Sequence, residues 1–230
     1  MRPLIALAIA MSCSVHAADA VRAGSYENPN GDLVVTGTAD ALKFKIDAFG
    51  ANGHTCSLDG DINGNQAKLD GDESPCIVKF DASEKGIDVS SNDACRTYCG
   101  MRAHFDGMYF KPAPGCSSDE RSRANDAFKA SYAKKDYATA RAKLEPLLTR
   151  CAPLLSWLEK PSIGNDLAVT LYHLHDRAAC LSVLEPMAED AAKTDDAIRE
   201  NYPPTDADAY LPLVKAARTN LKLCKALPAQ

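Results

Sequence analysis

The chain has one tryptophan, and aromatic residues make up only 7% of its 230 positions. Any core must therefore be filled mainly by aliphatic side chains. Beyond the first twenty positions no apolar run approaches the ~20 residues that a membrane-spanning helix needs, so no transmembrane segment is expected. Neither HExxH nor GxSxG occurs, and two common hydrolase chemistries lack the motif that carries them. Positive charge is also in deficit. The formal net charge is −5; from Asp19 to Cys116 fifteen acids face nine bases, against sixteen and sixteen from Ser117 onward. A nucleic-acid partner needs a basic face to displace counterions, and this balance argues against one. An acidic first half suits steering toward a basic protein.

Cysteine, by contrast, is plentiful. The chain opens with Met1–Arg2, the apolar run LIALAIAMSCSV and the small residues HAADA. A charged start, a short apolar region and a small-residue site describe a secretory signal peptide over 1–17. Cleavage is expected after Ala17, with Ala20 as a second junction. IAMSC also reads as a lipobox that would acylate Cys13 and make an outer-membrane lipoprotein. Both readings export the chain, and the periplasm is the expected compartment. Of nine cysteines, eight remain: Cys56, Cys76, Cys95, Cys99, Cys116, Cys151, Cys180 and Cys224. An even set in an exported chain reads as disulfides.

From Gly24 to Lys111 the pattern has period two. Leu42, Phe44 and Ile46 alternate with Lys43, Lys45 and Asp47; Val78 and Phe80 alternate with Ile77, Lys79 and Asp81. Short strands at regular spacing predict a small antiparallel sandwich or barrel. Within it, DGDINGNQAKLD reads two ways. Asp59, Asp61, Asn63, Gly64 and Asp70 fit positions one, three, five, six and twelve of an EF-hand calcium loop. The same stretch fits two strands joined by a turn at Asn63–Gly64. The two are compatible, since a hairpin tip can hold a weak ion. No other cofactor is indicated.

From Ser118 onward the pattern is helical and repeats. NDAFKASYAKKDYATARAKLEP from Asn125 and NDLAVTLYHLHDRAACLSVLEP from Asn165 match at an offset of forty. Paired positions include Tyr132/Tyr172, Asp136/Asp176 and Pro146/Pro186. Such spacing marks stacked helix pairs. Asp136 and Asp176 are expected to cap each second helix, and Pro146 and Pro186 to kink or end it. Asp206 opens an incomplete third unit whose helix shows Leu213, Ala216, Ala217, Asn220, Leu221 and Cys224 on one face. KKDYATARAKLEPLL is similar to the second helix of tetratricopeptide-like repeats. The fold class expected is α+β in two domains. A disulfide-stapled antiparallel β-domain over 21–116 precedes a helical hairpin-repeat domain over 117–230. This organisation suggests the pairs Cys56–Cys76 and Cys95–Cys99 in the first half, and Cys116–Cys151 and Cys180–Cys224 in the second.

The stretches GHTCSLDG, CIVKF and CRTYCGMRAHFDGMY resemble the small exported β-module of bacterial lysozyme-inhibitor-like periplasmic proteins. That resemblance implies a scaffold that binds protein, often a peptidoglycan hydrolase. Arg96, Tyr98, Arg102 and His104, in a loop carrying two cysteines, are the candidate partner-binding residues. Arg and Tyr dominate interface energetics, a stapled loop loses less entropy on binding, and hydrolase clefts carry carboxylates that Arg or His could meet. No catalytic set is found. His173 and His175 lie two apart on an expected helix and face different ways. Cys95, Cys99 and His104 lack a fourth ligand for zinc. The expectation is a non-enzymatic, exported protein that neutralises a peptidoglycan-acting enzyme, as a lysozyme inhibitor or as an immunity protein against a secreted toxin. The alternative is an envelope scaffold or adaptor that binds through the helical repeats.

Overall fold

The computed structural model describes residues 20–71 and 73–229. The leader reading, with Ala17 and Cys13, lies outside the described residues. Eight strands come first: β1 (Gly24–Asn28), β2 (Gly31–Thr38), β3 (Ala41–Phe49), β4 (Thr55–Ile62), β5 (Gln66–Leu69), β6 (Cys76–Ser83), β7 (Gly86–Ser91) and β8 (Gly107–Phe110). They form one antiparallel sheet in the order β4-β3-β2-β1-β8-β7-β6-β5, curled into a nearly closed barrel. The period-two pattern sets its inside. Leu42, Phe44 and Ile46 of β3 are buried, while Lys43 and Lys45 are exposed. Phe44 meets Phe80 of β6 edge-on, with ring centroids 4.9 Å apart. Each such side chain withdrawn from water contributes about 1.5–3 kcal/mol.

β4 and β5 are joined in sequence but stand at opposite edges of the sheet. Between them Asn63 and Gln66 exchange two backbone hydrogen bonds of 2.8 and 3.2 Å. The turn is centred on Gly64–Asn65, one residue later than Asn63–Gly64, because Gly64 takes φ 67°, a left-handed conformation that suits glycine. Past this turn the ladder does not continue, and a seam opens between the two edges.

A 3₁₀ segment, Asp93–Tyr98, spans that seam. Cys95 is bonded to Cys76 on β6, and Cys99 to Cys56 on β4. The expected pairs Cys56–Cys76 and Cys95–Cys99 are therefore wrong. Cys95 lies inside the 3₁₀ turn against β6, whereas Cys99 follows its end in extended backbone and bridges Cys56 of β4, so the two face different walls. Cys56 and Cys76 sit on strands either side of the seam, which the inserted segment bridges.

Seven helices follow: α1 (Ser118–Ala133), α2 (Tyr137–Thr149), α3 (Glu159–His173), α4 (Arg177–Leu184), α5 (Ala188–Ala192), α6 (Asp195–Asn201) and α7 (Pro204–Ala226). Asp136 accepts from the Thr139 N–H at 3.1 Å and Asp176 from the Ala179 N–H at 3.0 Å, the caps expected at matching positions. Before each cap the chain turns through a left-handed residue, Lys135 at φ 62° and His175 at φ 57°. His175 thus lies in a turn and not on α3. Pro146 does not end α2, which runs on to Thr149; so near the end it removes only one hydrogen bond. Pro186 follows the last residue of α4 in a 3₁₀ turn. On α7, Ala217, Asn220 and Cys224 are buried as expected, with Leu211 and Val214 beside them, while Leu213, Ala216 and Leu221 flank that row half-buried. Asn220 donates to the backbone and side-chain oxygens of Asn165, both at 3.1 Å, which locks α7 to α3. Cys116–Cys151 and Cys180–Cys224 are bonded as expected.

Two polar clamps hold the helices against the barrel. Arg121 of α1 reaches Glu27 of β1 at 2.7 Å and Glu159 of α3 at 3.2 Å, with the Arg121 and Glu27 side chains only 10% and 9% exposed. Burial opposes the guanidinium charge, yet the two carboxylates hold its pKa above the ordinary value. The second clamp is Asn52, after β3. Its N–H donates to the Asp206 carboxylate at 3.0 Å, and its side-chain oxygen accepts from the Thr205 N–H at 3.2 Å. The first turn of α7 is thus capped by a residue from the barrel.

Candidate functional site

The 3₁₀ segment leads into residues 100–106, which cross one end of the barrel. Hydrogen bonds fix both ends of the segment; at its start the Asn92 side chain accepts from the Ile77 N–H and donates to the Pro75 carbonyl, both at 3.0 Å. The Gly100 N–H donates to the Thr55 carbonyl at 2.8 Å, and Tyr98 donates its hydroxyl to the Asp70 carbonyl at 2.8 Å. A Cβ at Gly50 would overlap the Arg102 carbonyl, so glycine there is what lets the two segments lie side by side. Phe105, buried at 3% exposure, anchors the far end.

What this frame displays is unusual for so small a surface. The described residues include four large exposed hydrophobics: Val34, Phe49, Met101 and Trp157. Three of them gather around this loop. Met101 is 93% exposed and lines a cleft of about 460 Å³ with Arg96 and His104. Phe49 and Trp157 line a second groove of about 620 Å³, between the barrel and the helices, with Arg102 and His104 on its rim. His104 therefore borders both. Among the described residues neither Arg102 nor His104 makes a side-chain hydrogen bond or ion pair.

The four sequence-predicted residues divide. Arg102 and His104 are exposed beside apolar surface. Arg96 is exposed and weakly paired with Asp93 at 3.7 Å. Tyr98 is half-buried and serves the seam through its bond to Asp70. Phe49 and Trp157 escaped the sequence reading. Phe49 had a signal: alternation along β3 puts it on the wet face with Lys43, Lys45 and Asp47.

Trp157 is set by its neighbours. Its ring stacks on Tyr202 at 5.8 Å with an interplanar angle of 8°, and meets Tyr210 at 5.5 Å. Tyr210 and Tyr202 both donate to Asp190, at 2.8 and 3.4 Å. Burial opposes the Asp190 charge, but hydrogen bonds from Lys193 and the two tyrosines hold its carboxyl below the ordinary range. Burial and the nearby carboxylate push both phenols up.

The calcium-loop residues are not brought together. β4 turns Asp59 and Asp61 outward, where the register sets Lys45 and Lys43 opposite them, and Lys43 bonds Asp61 at 2.5 Å. Asp70 lies past the end of β5. Among the described residues no group of three or more His, Cys, Asp or Glu is placed to hold a metal. Cys95 and Cys99 are in disulfides, so they offer no thiolate. No helix among the described residues is long and apolar enough to cross a membrane. Four disulfides fit an oxidising compartment. No protein-family model, curated protein or solved structure matches this chain.

Proposed function

We propose that the protein is an exported, periplasmic binding protein that inhibits a peptidoglycan-acting enzyme and performs no catalysis itself. One observation supports this most. The loop from Cys95 to His104 is tied to two different strands and displays Met101, Arg102 and His104 without side-chain partners among the described residues. A fixed apolar tip beside a free guanidinium and an imidazole suits insertion into a cleft, because binding then orders little. Glycoside-cleaving clefts hold paired carboxylates, which the Arg102 guanidinium and a ring N–H of His104 would meet. The resemblance of CRTYCGMRAHFDGMY to lysozyme-inhibitor-like modules points the same way. Two settings suit it: an inhibitor facing host lysozyme, and an immunity protein that neutralises a toxin delivered by a rival cell. Titrating the purified protein against lysozymes, amidases and delivered periplasmic toxins tests the reading. Saturable inhibition of one of them supports it; no inhibition and no complex with any of them sinks it.

The adaptor reading has one observation in its favour. Leu148, Leu167, Leu171 and Val183 line an apolar groove of about 780 Å³ between α2, α3 and α4. Leu148→Asp placed there should then abolish partner capture while leaving any enzyme inhibition unchanged.

A further inference from the structure

We propose that the groove between barrel and helices binds an anionic oligosaccharide. This groove shares His104 with the Met101 cleft but has its own aromatic floor, and the inference does not rest on the inhibitor reading. Its floor is aromatic and rigid. Tyr202 backs one face of the Trp157 indole, Trp157 stays 42% exposed, and Phe49, 60% exposed, stands in the same groove. A pyranose ring presents flat C–H faces to such platforms and hydroxyl or acetamido groups at its edges. The rim supplies polar partners for those edges in Asn30 and Ser156.

Charge decides the sign of the ligand. Arg102 and His104 border the groove without a protein partner among the described residues, whereas its one carboxylate, Asp206, accepts from the Asn52 N–H. A cation that sought the aromatic faces would be repelled by Arg102. In a chain of net charge −5, a rim whose one free charged side chain is the Arg102 guanidinium, its carboxylate being turned to the Asn52 N–H, fits a carboxylate-bearing sugar. The lining also disfavours the common peptide modes. It is built from loop and element ends around residues 29–30, 49–51, 102–104, 156–158 and 202–206. It contains no unpaired strand edge for strand addition and no long channel between helices for a helical peptide.

Trp157 is the chain's sole tryptophan, so its emission reports this groove directly. The probes are soluble oligosaccharides of alternating N-acetylglucosamine and N-acetylmuramic acid, without peptide stems, which carry a lactyl carboxylate on every second ring. N-acetylglucosamine oligomers of equal length are the neutral control. The expected result is a saturable change in emission, at least tenfold tighter for the acidic series. Arg102→Ala should remove that tenfold preference, as expected for loss of one hydrogen bond to a charged group, a change of about tenfold or more. Phe49→Ser, at an exposed strand end, should weaken both series. Met101→Asp, outside the groove, should leave sugar binding intact while weakening enzyme inhibition, so the two proposals fail separately. No saturable response to any sugar, equal affinity for the neutral series, or a response to proline-rich acidic peptides alone overturns the proposal.

Discussion

The barrel and the helices each carry two disulfides, but they use them differently. In the helical half Cys116–Cys151 clips the approach to α1 to the turn after α2, and Cys180–Cys224 clips α4 to α7. These bonds reinforce helix packing that caps and apolar faces already specify. In the barrel both disulfides converge on one short segment and rivet it across a seam that hydrogen bonds leave open. The helical staples hold scaffold. The barrel staples hold a display loop, and the exposed Met101, Arg102 and His104 follow directly from it.

That contrast can be tested from the clamp between the halves outward. Arg121→Met should cost the most, about 3–5 kcal/mol in denaturant unfolding, because it leaves the buried Glu27 carboxylate unpaired. Adding Glu27→Leu should recover most of the loss; no recovery would mean that the pair does not carry the joint. Serine at both Cys56 and Cys99 should cost about 2–4 kcal/mol. Serine at Cys76 and Cys95 should cost about 0.7 kcal/mol less in the chain-entropy account, because that loop spans 19 residues against 43. Either pair should also weaken partner binding, whereas serine at Cys180 and Cys224 should destabilise the fold and spare the loop.

The caps give a smaller comparison. Asp136→Ala removes a cap within the helical half and should cost about 1 kcal/mol. Asn52→Gly keeps the left-handed backbone but removes the side-chain cap on α7, and should cost a similar ~1 kcal/mol. Hydrogen exchange separates them: the first should speed exchange at the start of α2, the second at the start of α7. The smallest effect concerns pH. The Asp190 carboxyl is held below its ordinary value in the folded chain. Its stabilisation is therefore present above the unfolded value of about 3.9 and lost as pH falls through the lower folded value. Trp157 emission should change in that acidic window in the wild type and not in Asp190→Asn.

The helical half was legible because its determinants are local. Asp136, Asp176 and the apolar spacing act within a turn or two of chain, and a repeat shows each signal twice. Strand alternation was equally local, so β3 and β6 could be read from their own residues. What could not be read was the meeting of distant segments. The division into halves suggested Cys95–Cys99, yet Cys95 sits in the 3₁₀ turn against β6 while Cys99, just past its end, meets β4. The short helices α5 and α6 were missed because they are one or two turns long and held by tertiary contacts. Arg102 and His104 could be picked for their type. Trp157 could not, since its exposure depends on Tyr202 and on where the helices meet the barrel.

The central claim is that the riveted loop, not the helical surface, meets the partner enzyme. Its most direct test compares two single variants in an assay of cell-wall hydrolysis by the hydrolase proposed as the target. Met101→Asp alters the tip of the loop; Leu148→Asp alters the apolar groove on the helices. Met101→Asp should weaken inhibition at least tenfold, with Leu148→Asp indistinguishable from wild type. Full inhibition by Met101→Asp, with loss in Leu148→Asp, would contradict the account.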